Sequence, residues 1–82
     1  MFLQNTRSRQ YMHITPTGSI FFEFDSDGLP EIVSVELATV NGVRAVWPEE
    51  EVDRRVKLFR RFGWTRCEDP TAREHTKKEI IA

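Results

Sequence analysis

Asn-Gly at positions 41–42 separates two runs rich in β-branched residues, EIVSVELATV (31–40) and VRAVW (43–47). No other feature of the chain leaves so few foldings open. A two-residue connection of this composition closes a type I′ turn, because both central residues need positive φ and Asn and Gly tolerate it best. The flanking runs must then pair antiparallel. Val33, Val35 and Leu37 alternate with Ser34 and Glu36, which predicts one buried face. A lone hairpin is marginal in water, so other elements must cover that face.

The neighbouring sequence supplies them. QYMHI (10–14) reads as a short strand, followed by the turn-forming TPTGS. SIFFEFD (19–25) is a stronger strand, with Ile20, Phe22 and Phe24 on one face and Phe21 on the other. DSDGLP then makes a turn. After the hairpin, WPEEEVDRRVKLFRRFGW (47–64) predicts a helix. Pro48 suits its first position, and Gly63 suits the left-handed residue just past its end. WTRCE (64–68) returns as a last strand, and Asp69-Pro70 breaks the chain. TAREHTKKEIIA can form a short second helix, with Thr71 and Glu74 spaced as a capping box.

The resulting order is β-β-β-β-α-β. It predicts an α+β fold of two layers, a small and mostly antiparallel sheet with one helix packed on it. Residues 1–9 read as an N-terminal arm, 10–69 as the core domain and 70–82 as a C-terminal tail.

Five basic residues in the second half of the helix raise the question of nucleic acid. Its apolar arc holds Val52, Val56, Phe59, Phe62 and Leu58. The opposite face mixes acids with bases. Glu50–Arg54, Glu51–Arg55 and Asp53–Lys57 are all spaced i,i+4 with the acid first. Acids crowd the first turn and bases the last, as the helix dipole favours. A helix that reads DNA through Arg54, Arg60 and Arg61, aided by Arg7 and Arg9, would present bases free of carboxylates. The helix is therefore expected to be structural, and nucleic acid is not an expected partner. Arg55 alone falls inside the apolar arc. It is either a snorkelling stem at the core's edge or a contact to a partner.

The totals agree with this reading. Eighty-two residues make one domain, and six Phe, two Trp and one Tyr exclude a disordered chain. Net charge is −1, split as −2 over residues 1–47 and +1 over 48–82, so no basic field attracts nucleic acid or an anionic membrane. Cys67 is the sole cysteine, which excludes an internal disulfide and suits a reducing compartment. MFLQNTRSRQ lacks the apolar run of a signal peptide. The expected location is a cytoplasm or a particle assembled there.

No chemical motif in the chain is complete. DSDG (25–28) resembles the start of a calcium loop, but Ser34 stands where a bidentate Glu is required. His13, His75 and Cys67 lack zinc-site spacing and any recognisable nucleophile context. TPTGS has too few glycines to cradle a phosphate. The expectation is a non-enzymatic protein with no catalytic residue, metal, cofactor or small-molecule ligand.

The order running from GSIFFEFDSDG through RRFGW, with polar ends carrying a few apolar residues, resembles the small accessory proteins of tailed-bacteriophage particles. That resemblance implies a structural role, with extended ends lying across many copies of a shell or tail subunit; the expected contacts, to other copies or to a shell, run through those ends and a strand edge. It carries no residue-level assignment. On the sequence itself, Phe2, Leu3, Ile80 and Ile81 are apolar residues in otherwise polar ends, and with Arg55 they are the candidate protein-contact residues; the equal alternative for each of the four is packing on the chain's own sheet. The rival expectation is a small phage-encoded inhibitor of a host complex, acting through Asp25, Asp27 and Glu31 or the mixed helix face.

Overall fold

A computed structural model of the chain describes residues 1–71. Its elements are β1 (Phe2–Asn5), β2 (Gln10–Thr15), β3 (Gly18–Phe24), β4 (Pro30–Leu37), β5 (Thr39–Val40), β6 (Val43–Arg44), α1 (Glu49–Arg61) and β7 (Thr65–Cys67). Five strands form one sheet in the order β4-β3-β2-β1-β7, and every neighbouring pair is antiparallel. With α1 packed on one side, the fold is the expected small α+β domain.

The helix ends follow from its flanking residues. Pro48 lies one residue earlier than expected, at the N-cap, where its φ of −67° and ψ of 162° start the helix without an N–H to satisfy. At the far end Gly63 takes φ 94°. Its N–H donates to the Arg60 carbonyl at 3.3 Å, and the Trp64 N–H donates to the Phe59 carbonyl at 3.2 Å. This pair of bonds is a Schellman stop. It turns the chain directly into β7.

The core sits between α1 and one sheet face. Leu3, Met12 and Ile14 come from the strands, Val56 from the helix, and Ala38, Trp47 and Trp64 from the connections. Phe21, Phe59 and Trp64 close it as three mutually edge-on rings, with centroids 5.8 to 6.2 Å apart.

Several expectations need correction. Residues 1–9 are not an arm: Phe2–Asn5 form β1, paired on one side with β2 and on the other with β7. Leu3 is 0% exposed. The reason is non-local, since β7 has no other described strand to pair with. Nor does the 31–40 run continue into the hairpin. It ends at Leu37, Ala38 turns into the core, and β5–β6 is a separate two-stranded unit. Asn41 (φ 53°) and Gly42 (φ 80°) do make the expected turn between them. The hairpin is tied down at its base: Ala38 N–H donates to the Thr17 carbonyl and Trp47 N–H to the Pro16 carbonyl. The face of β4 expected to be buried is exposed along its whole length. Leu58 on α1 and Phe62 at its C-cap are exposed, leaving Val52, Val56 and Phe59 as the inward arc. Of the predicted second helix and its capping box only Thr71 is described, its N–H and hydroxyl both donating to the Asp69 carboxylate at 2.9 and 2.6 Å; Glu74 and the candidate residues Ile80 and Ile81 lie beyond the described residues.

Candidate interaction surface

Strand alternation assigns each sheet residue to a face. Leu3, Met12 and Phe21 are opposite one another across β1, β2 and β3 and point to the helix. Phe2, His13, Ile20 and Val35 form the adjacent row, and Tyr11, Phe22 and Ile32 the next one on the same open side. No described element covers that side. It is an aromatic floor: Phe2 stacks on His13 with centroids 4.1 Å apart, and Tyr11 lies 5.6 Å from Phe22 and 5.2 Å from Phe24.

The floor runs out to an unpaired edge. Among the described residues β4 pairs only with β3, so its outer N–H and C=O groups face solvent. Ile32, Val33, Val35 and Leu37 are exposed on it, with Val35 at 54%. Val40 and Val43 on the β5–β6 hairpin, and Val46 after it, are exposed as well. Natural edges usually carry lysine or proline in mid-strand to block further pairing. Here Pro30 stands only at the start and no lysine is present, although a bulge between the partners of Phe21 and Phe22 bends the strand at Val33.

The partner-contact candidates separate cleanly. Leu3 is core. Phe2 lies on the open face against His13. Arg55 is engaged within the domain. Its guanidinium stacks 3.8 Å over the Trp47 ring, donates to Glu36 at 2.6 Å and to Glu51 at 3.1 Å. The clamp joins α1, β4 and the loop before the helix. Arg54 bonds Glu51 at 2.7 Å, three residues back, in preference to Glu50. That hydrogen bond, helped by Arg55, holds the Glu51 carboxyl below its ordinary range.

The chemical candidates raised by the sequence are placed as follows among the described residues. DSDG is a turn: the Asp25 carboxylate accepts from the N–H groups of Asp27 and Leu29, both at 2.9 Å, and Gly28 takes φ 79°. No group of three or more His, Cys, Asp or Glu is gathered to hold a metal ion there. Cys67 and His13 flank Phe2 on opposite sides of β1, so the Phe2 ring separates thiol and imidazole. Burial, reinforced by Asp69, pushes the Cys67 thiol up, away from the reactive thiolate. A cleft of about 340 Å³ lies at the aromatic face's rim between Gln4, Arg9, Tyr11 and Phe24. No described helix is long and apolar enough to cross a membrane.

Comparison with protein-family models, curated proteins and solved structures finds no match for this chain.

Sequence reasoning expected a strand edge as a contact but did not place it on β4, because alternation there was taken to mean burial. One available signal pointed the other way. A single helix about 10 Å wide covers about two strands at roughly 4.8 Å spacing. A sheet of more strands must leave others bare.

Proposed function

We propose that this chain is a non-enzymatic protein-interaction protein, a structural accessory component of a phage-like particle. The observation that carries the interaction role is the β4 edge, an eight-residue strand exposed at every position with four large apolar side chains on it. Such an edge is a template for adding another strand, with backbone bonds giving affinity and alternate side chains giving selectivity. The aromatic face beside it is half-buried, with Phe22 buried and Phe2, Tyr11 and Phe24 partly exposed, and adds a flanking contact. Its place in a particle rests on the organisational resemblance described above, on small size and the order from GSIFFEFDSDG through RRFGW, and not on an N-terminal arm, since Phe2–Asn5 form β1.

Density-gradient sedimentation of native lysate, with quantitative mass spectrometry of the fractions, tests this reading. The expected result is co-migration with a very large particle in fixed ratio to an abundant shell protein. Migration as a free species, or with one complex of modest size, refutes the particle role and favours an inhibitor of a host complex.

A further inference from the structure

We propose that the β4 edge is occupied by β4 of a second copy of this chain, the two running antiparallel about a two-fold axis through Val35. This deepens the reading of β4 as an interaction edge and names its partner. The argument is one of register. In an antiparallel pair, residues directly opposite share a face, so a two-fold axis must pass through a residue. Few positions are available.

An axis through Val33 sets Ile32 against Ser34 and Glu31 against Val35. One through Ser34 sets Ile32 against Glu36 and Glu31 against Leu37. One through Glu36 sets that carboxylate against its own copy, which repels. Only Val35 makes the strand self-complementary. There Val35 meets Val35 of the second copy, Val33 meets Leu37, and Ser34 meets Glu36. Apolar opposes apolar on the open face, and a hydroxyl donor opposes a carboxylate on the helix face. The Glu36 charge is already countered by Arg55 within each domain.

The segment VSVEL is therefore a polarity palindrome centred on Val35. The bulge at Val33 falls at the rim of the paired window and leaves its centre regular. Pairing would join two five-stranded sheets into one of ten strands. The row Phe2, His13, Ile20 and Val35 would then continue across the axis into its own copy. A short joint of this kind places the dimer among weak to moderate associations, with a Kd of roughly 1–100 µM.

The test is sedimentation equilibrium of the full chain from about 1 to about 500 µM, bracketing that range. The expected species at high concentration is twice the 9.6 kDa chain, 2 × 9.6 = 19.2 kDa. Val35→Lys sets two ammonium groups on the axis and is expected to weaken association by about 100-fold. Because Val35 is exposed, its circular dichroism should match the parent's. Arg44→Glu, on β6 outside the paired window, should dimerise as the parent does. In a Cys67→Ser background, Val35→Cys should cross-link between copies with a short bismaleimide, and Val43→Cys should not. A parent chain monomeric at about 500 µM, or a dimer indifferent to Val35→Lys, overturns the proposal. Failure here, with co-migration on a particle intact, assigns the edge to a foreign subunit. A dimer that never meets a particle leaves this proposal standing and removes the particle role.

Discussion

Gly18→Ala is the substitution expected to cost the domain most for the fewest added atoms. Gly18 opens β3 at φ 149° and pairs with Leu37, the last residue of β4. A Cβ placed there would overlap the Glu36 carbonyl oxygen and lie 3.2 Å from the Leu37 Cα, both backbone atoms that cannot rotate away. Holding a non-glycine residue at such a φ costs about 1–3 kcal/mol. Relieving the overlap means moving β4 off β3 at its C-terminal end, which brings the expected loss to about 2–4 kcal/mol. A core of this size supplies roughly 3–5 kcal/mol in all, so the variant should be largely unfolded in mild urea. Gly28→Ala is the control. Its φ is 79°, but the space around it is open, so only the backbone term of about 1–2 kcal/mol applies. Urea denaturation followed by tryptophan fluorescence reads both, because Trp47 and Trp64 are buried. If the two variants lose the same stability within about 0.5 kcal/mol, the close approach of β3 to β4 is not as described.

Three further outcomes are expected. A double-mutant cycle on Glu36→Gln and Arg55→Met should give a coupling of about 0.5–1 kcal/mol in urea midpoints, and a coupling near zero would remove the clamp. Ser19 is 1% exposed and its hydroxyl has no hydrogen-bond partner among the described residues, so Ser19→Ala should be neutral or stabilising by up to about 1 kcal/mol by thermal melting. His13 is held below its ordinary value, first by burial and then by the terminal ammonium, against an opposing pull from Asp69. Its contribution to stability is thus complete above about pH 6.5 and lost as pH falls through the lower folded value. NMR titration should place its midpoint below that of a free histidine, and His13→Gln should flatten this part of the pH–stability curve.

The features legible in the sequence are those fixed within a few residues. Asn41-Gly42 specifies its turn by the φ values it tolerates, and Gly63 specifies the helix stop in the same way. The i,i+4 spacing placed Glu51 beside Arg55, and the misplaced charge of Arg55 marked it as unusual. What Arg55 does was not legible, because Glu36 lies nineteen residues away and only the fold brings it within 2.6 Å. The membership of β1 in the sheet was hidden for a similar reason. FLQN has too short an alternation to declare itself, and its place is fixed by β2 and β7 on either side. The candidate surface was the least legible part. EIVSVEL has the alternation of a half-buried strand, and the same alternation serves a strand whose apolar face awaits another chain. Composition cannot separate those two cases, whereas the width of a single helix against five strands can.

Amide hydrogen exchange of β4, read by mass spectrometry, tests the central claim that this strand's outer edge is a pairing site. Free domain at low concentration should lose protection quickly at the outward amides within 31–37, while β2 and β3 stay protected. In the associated form the same segment should slow by at least about tenfold, with β2 and β3 unchanged. Identical β4 exchange in the dilute and the associated states would show that the strand stays open to water, and the edge would not be the interface.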